Sequence, residues 1–312
     1  MSGIRTLGDN KAVIYLLSVL AILLWGMSYI WSDSLISQEV PIFYFVPLRI
    51  LIAGLILLLF NLLSCNFKPI ARKDLWKFML LSLFEPLVYF LCETYGIKET
   101  GSPTISAMII ASVPIVSVIA GCTLFKEKVT FVNVLGILVT LAGILLVLSS
   151  QGEDCKGGNF VLGLVLLVLA VFAEVGHASM TKFLSGDYKP QVIAMYQFLI
   201  GSVYLLPFFI FKGLDGFEAR YLSWQVLRPI LFLALLCSSL AFSLWAMTIK
   251  KLGVAKSSVF LATMWCIATA LVAELIGREH MVLIQWLGIG VAVLGIILSQ
   301  MSACNREGQG SR

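Results

Sequence analysis

The sequence predicts an all-α integral membrane protein of ten transmembrane helices, built as two inverted five-helix repeats with both termini cytoplasmic. Three observations carry that prediction: an apolar excess, a row of span-length apolar segments, and a repeat at an offset of 152 residues. Residues of the set AVILMFWYC make up 60% of the 312, and charged residues only 12%. An ordinary soluble domain has roughly 45–50% apolar and about 25% charged residues. The ratio excludes a soluble globular fold.

Apolar segments fall at 12–33, 41–63, 75–95, 103–124, 130–149, 160–182, 190–211, 228–249, 255–276 and 281–301. Each is long enough to cross a bilayer, which takes about 20 mostly apolar residues. They must be helices, because an open sheet would leave backbone groups unpaired in lipid and barrel strands would alternate polar with apolar. The first segment follows Arg5 and Lys11 but outruns the h-region of a signal peptide, so it is read as a retained span.

The net charge of +5 comes from cations at the ends of apolar runs, a topological signal and not a nucleic-acid footprint. One set of loops collects Arg5, Lys11, Lys68, Arg72, Lys73, Lys77, Lys126, Lys128, Lys182, Lys189, Lys250, Lys251, Lys256, Arg306 and Arg312, fifteen in all. The alternate loops collect six: Lys98, Lys156, Lys212, Arg220, Arg228 and Arg278. The bias predicts cytoplasmic termini and leaves Arg49 as the one cation inside a span. Seven scattered cysteines without a C-x-x-C spacing indicate neither a disulfide framework nor a zinc site.

Aligned at the offset of 152, Leu124–Leu146 and Ile276–Leu298 share eight of 23 positions, including Glu127/Glu279, Gly136/Gly288 and Gly143/Gly295. Lys126/Arg278 keeps its charge, and Lys98/Lys250, Gly101/Gly253 and Ser106/Ser258 stay in register upstream. The expected repeats are 12–149 and 160–301, with short cytoplasmic tails at 1–11 and 302–312. Five is odd, so the second repeat enters the membrane from the opposite side. Inverted repeats of this kind belong to secondary transporters, with the substrate site near the midplane. The glycines, seven apart, line one helix stripe and let helices approach closely.

Trp25-Gly26, Pro47-Leu48-Arg49, Pro114, the Lys126-Glu127 and Arg278-Glu279 turns and the two Leu-Gly-x6-Gly helices carry a resemblance over nearly the whole chain. In these the chain resembles the drug/metabolite transporter superfamily, in its ten-helix EamA branch. The resemblance implies a multi-pass protein of the bacterial inner membrane, an exporter of amino acids or related metabolites that works by alternating access and draws on the proton gradient. The chain departs from the family pattern at Cys266 opposite Pro114, at Gly201 opposite Arg49 with Gln197 one turn earlier, and at Glu85 and Glu93.

An ionisable group inside a span costs about 2.5–3.5 kcal/mol on insertion scales and faces a cavity or a partner. Arg49 lies roughly 12 Å from the outer end of the second span and Glu85 roughly 15 Å from either end of the third, at about 1.5 Å per residue. The two are expected to pair, Arg49 holding a substrate carboxylate and Glu85 taking up a proton, with a static salt bridge beside Pro86 as the plainer alternative. Tyr89 and Glu93 extend a polar stripe from Glu85, with Glu93 expected near the outer interface. Glu174 and His177 share a face of the sixth span, suited to proton relay. No second His or Cys shares that face, so no metal is expected. Glu274 stands at the end of the ninth span. Trp25, Tyr29, Tyr196, Trp245 and Trp265 lie within spans, where aromatic faces can line a pocket for an amphipathic substrate.

The expected function is a secondary active transporter, a proton-linked exporter of small amphipathic metabolites. Its partners are a small-molecule substrate, the lipid bilayer and a proton gradient, with no cofactor, no nucleic acid and no oligomeric state implied. A non-transporting receptor or channel-like protein stays open as an alternative. An integral-membrane enzyme is disfavoured because the chain has no H-E-x-x-H, G-x-S-x-G or P-loop.

Overall fold

A computed structural model describes residues 11–113, 115–116, 130–149, 158–245, 267–272, 274–275, 277 and 281–307. The described residues are helical, without a strand. In chain order they form α1 (Lys11–Ser37), α2 (Ile42–Leu63), α3 (Arg72–Thr100), α4 (Pro103–Ile110), α5 (Phe131–Ser149), α6 (Phe160–Leu184), α7 (Pro190–Gly213), α8 (Trp224–Trp245) and α9 (Leu283–Glu307). A short helical stretch at 267–272 precedes α9. Six helices, α1, α2, α3, α6, α7 and α8, are long and apolar enough to cross a membrane, and α5 and α9 hold shorter apolar stretches. The resulting protein is polytopic. Leu16, Leu63, Phe131, Val161, Val203 and Leu283 project outward from these helices, as a lipid-facing surface requires.

Local chemistry sets the helix ends. Ser102 caps α4 through its hydroxyl, which accepts from the Ile105 N–H at 3.1 Å, and Pro103 follows at the first helical position, where no N–H is needed. Asn159 caps α6 in the same way through the Leu162 N–H at 3.1 Å. Gly101, in the left-handed region at φ +66°, stops α3.

Two helices are irregular at corresponding places. In α3 the backbone leaves helical geometry at Glu85 (φ −140°, ψ 121°), and the Glu85–Pro86 peptide is cis. Its residues Leu83–Val88 and residues Leu233–Leu240 of α8 form wide π-type turns, which recur at functional sites.

The helices of the two halves meet reciprocally. A Cβ on Gly143 of α5 would lie 2.6 Å from Gly288 O and run into the Ala292 backbone; one on Gly295 of α9 would lie 2.7 Å from Gly136 O and run into Thr140. Exchanging each residue for the one 152 positions away turns the first contact set into the second. This seam permits backbone-to-backbone packing, which drives helix association where lipid tails remove the hydrophobic incentive. A large buried cluster under α2, α3, α6, α7 and α8, with Phe45, Phe78, Phe198 and Leu167 at its centre, joins the remaining helices.

Among the described residues, the polar contacts between loops join loops that the charge pattern assigns to one side. Lys68 donates to Asp187 O and Lys189 to Asn66 at the Lys/Arg-rich end. Asn159 N donates to Glu99, and Arg220 approaches Glu39, at the other end.

Candidate functional site

Arg49 sits in the second turn of α2 after Pro47, 2% exposed. Its Nε donates to Ser238 Oγ of α8 at 3.0 Å, and its guanidinium carbon lies 4.5 Å from the centre of the Phe90 ring. Among the described residues its two Nη groups have no hydrogen-bond or ion-pair partner. Glu93 of α3 is near enough to interact with it electrostatically. A buried cation with one hydrogen-bond partner is costly, and the planar fork of a guanidinium suits a carboxylate in two-point contact.

Glu93, expected near a hydrated outer interface, is shielded from water, only 4% exposed. The freed stretch after Pro86 rewinds into helix at Tyr89, which brings Tyr89 and Glu93 onto one face, and the Tyr89 hydroxyl donates to Glu93 at 3.1 Å. Tyr29 of α1 reaches the same pair.

Glu85 does not pair with Arg49. Its non-helical backbone turns the carboxylate to α6, where Oε2 lies 2.8 Å from His177 Nδ1. Glu174, one turn before His177, lies 3.5 Å from the same nitrogen. On the far edge of the ring, His177 Nε2 is 3.1 Å from Gln197 Oε1 of α7 and 3.4 Å from Thr181 Oγ1. Two carboxylates thus converge on one imidazole, and the net charge of the group changes by one whenever a proton enters or leaves. The sequence reading found no second ligand on the His177 face because Glu85 arrives from another helix. With it, one atom from each of Glu85, Glu174 and His177 lies within 4.8 Å of the others, a donor set able to hold a cation.

The aromatic residues divide. Trp25 donates from Nε1 to Cys237 O at 3.0 Å and packs edge-on against Phe242 and Trp245, with centroids at 5.2 and 5.7 Å. Tyr196 is not in this group: its hydroxyl donates to Lys68 O at 3.0 Å at the Lys/Arg-rich end. Glu274 is exposed. Trp265, Pro114, Cys266 and the Lys126-Glu127 and Arg278-Glu279 turns lie outside the described residues.

Neither Ser238 nor Phe90 was anticipated from the sequence, although the repeat carries a signal for Ser238. At the offset of 152, Ser238 stands opposite Pro86, Cys237 opposite Glu85, Gly201 opposite Arg49 and His177 opposite Trp25. The contacts follow: Arg49 on Ser238 corresponds to Gly201 against Pro86, where an added Cβ would strike the proline ring, and Trp25 on Cys237 corresponds to His177 on Glu85.

The fold and this interior define a polytopic helical membrane protein with charged groups held inside its bundle. The chain belongs to the EamA-like transporter family, whose sequence model matches residues 12–149 and again 161–301. Among its relatives is the uncharacterized transporter YetK of Bacillus subtilis, 26% identical over 85% of this chain and 80% of its own. An uncharacterized transporter of Archaeoglobus fulgidus is 22% identical over 91% of this chain and 97% of its own. A protein solved by crystallography shares the fold, with a TM-score of 0.68 over 96% of this chain and 100% of its own at 17% identity.

Proposed function

We propose that this membrane transporter is a secondary active, proton-linked exporter of amino acids or related small amphipathic metabolites, working by alternating access. The observation that carries the reading is Arg49, a guanidinium 2% exposed with its two Nη groups unpartnered among the described residues. A substrate carboxylate would take both Nη groups in a charge-assisted contact. Phe90, Trp25 and Trp245 would cover the apolar part of the substrate, with Glu93, Tyr89 and Tyr29 beside its polar end. Glu85, Glu174 and His177, braced by Gln197, would carry the proton.

The ten-helix count, the repeats at 12–149 and 160–301 and the cytoplasmic termini in a bacterial inner membrane belong to the same reading. Reciprocal contacts at the offset of 152 and the two-fold family match support the repeats; the 15 to 6 cation bias supports the orientation. In this reading 1–11 and 302–312 are tails on the cytoplasmic side.

The test compares metabolites released by cells overproducing the wild-type chain with those from an Arg49→Ala strain. Carboxylate-bearing metabolites are expected in the first medium and not in the second. Equal release from both strains would remove Arg49 from substrate binding. In vesicles, Glu85→Gln is expected to uncouple flux from the pH gradient; unchanged gradient dependence would rule out the proton role.

A further inference from the structure

Tyr188, in the turn between α6 and α7, is 4% exposed although it lies in a loop. Its hydroxyl accepts from the Ala71 N–H at 3.0 Å and donates to Asp74 Oδ2 at 3.1 Å. Asp74 is 1% exposed, and its other oxygen accepts from Lys77 at 2.7 Å. The Tyr188 ring is sandwiched by Phe78, edge-on at 5.1 Å, and by the Lys68 ammonium at 4.7 Å. Lys68 to Asp187 O, Lys189 to Asn66 and Tyr196 to Lys68 O complete a polar closure between the α2–α3 loop and the α6–α7 turn.

The opposite end is built differently at the positions 152 residues away. Ile36 stands for Tyr188 and Val226 for Asp74, so the hydrogen-bonded pair has no counterpart. There a crevice of about 220 Å³ opens, lined by residues that include Gln38, Arg220, Ser223 and Gln225. Among the described residues, the contacts between the halves at that end include Tyr44 against Tyr221 at 5.4 Å, an exposed Arg220–Glu39 approach of 4.0 Å and an exposed hydrogen bond from the Asn159 N–H to Glu99 at 2.7 Å. Aromatic faces slide and re-pack, whereas two directional hydrogen bonds on one hydroxyl are either made or broken.

We propose that Tyr188 is the gating residue of the Lys/Arg-rich end: the chain is held closed there by the Tyr188–Asp74–Ala71 contact, and opening requires its release while the crevice at the other end closes on Gln38. The proposal rests on the carrier reading above and adds to it the place where one of its two conformations is locked. A group that favours one state shifts the population only through contacts present in that state alone, and the Tyr188 hydroxyl supplies such contacts.

The experiment uses the full chain in a cysteine-free background in proteoliposomes. One version carries Asn66→Cys with Lys189→Cys, which leaves the Lys68–Tyr188 contact intact, the other Gln38→Cys with Gln225→Cys, and each is cross-linked with a short bis-maleimide. Tyr188→Phe, which keeps the ring between Phe78 and Lys68, is expected to slow cross-linking of the first pair at least threefold and to speed that of the second at least threefold. Asp74→Asn should move both rates the same way by less. Rates that stay unchanged, or that fall together at both ends as in simple loosening, would overturn the gate. Cross-linking needs no substrate: absent flux in the wild type would sink the carrier reading alone, and unchanged rates with intact flux would sink the gate alone.

Discussion

Where α1 and α2 meet α8, Trp25 bonds Cys237 and Arg49 bonds Ser238; where α6 and α7 meet α3, the residues 152 positions away set His177 against Glu85 and Gly201 against Pro86. The two junctions share one geometry and differ in chemistry. The first holds a permanent cation over an aromatic ring. The second holds an imidazole between carboxylates and fills the site of the cation with a proline ring. In the function proposed above the two junctions would have separate tasks, the first suited to a carboxylate ligand and the second to a proton.

The comparison can be broken most severely at Arg49. Arg49→Ala should lower flux of a carboxylate substrate about 100-fold, equivalent to about 3 kcal/mol, measured as initial rates in vesicles; a loss under threefold would dissolve the distinction between the junctions. Gly201→Val asks whether the second junction tolerates a side chain where the first has arginine. The added methyls meet the Pro86 ring, and overpacking of this kind costs about 1–3 kcal/mol, so thermal unfolding in detergent should begin several degrees lower. Glu174→Gln is expected to lower flux at neutral pH about fivefold to thirtyfold, the range that corresponds to one or two kcal/mol, and to flatten its pH profile. The smallest effect belongs to Ser238→Ala, which removes one hydrogen bond to a charged group and should raise KM about fivefold to tenfold with kcat preserved; a fall in kcat at constant KM would show that Ser238 serves motion and not binding.

Much of the fold was readable because hydropathy reports burial in lipid directly. The spans at 12–33 and 160–182 lie within α1 and α6, and 41–63 matches α2 except for its first residue, Pro41. Ends were less readable. The eighth span was expected to open at Arg228, yet α8 begins at Trp224, because the Arg228 guanidinium lies 5.6 Å from the Trp31 ring centre and its stem covers apolar surface. Of the site, the residue types were legible and the partners were not. Depth along the spans puts Glu85 level with Arg49, but the break at Glu85 turns its carboxylate toward α6, where it meets His177. Glu93 was read as hydrated from its distance along the helix, a coordinate that carries no information about which neighbours surround it. Tyr188 and Asp74 look like ordinary loop residues until the chain brings the two loops together.

The glycine seam between α5 and α9 has a consequence for how the molecule is assembled. Its contacts pair Gly143 with Gly288 and Gly295 with Gly136, one partner from each half, and involve backbone that every copy of these segments presents alike. A chain cut between Ser149 and Phe160 would leave each fragment with one complete strip of the fastener. Co-expressed as separate polypeptides, the fragments should find each other through that strip and rebuild the transporter without a covalent link, and bulk introduced at Gly143 should abolish the reunion.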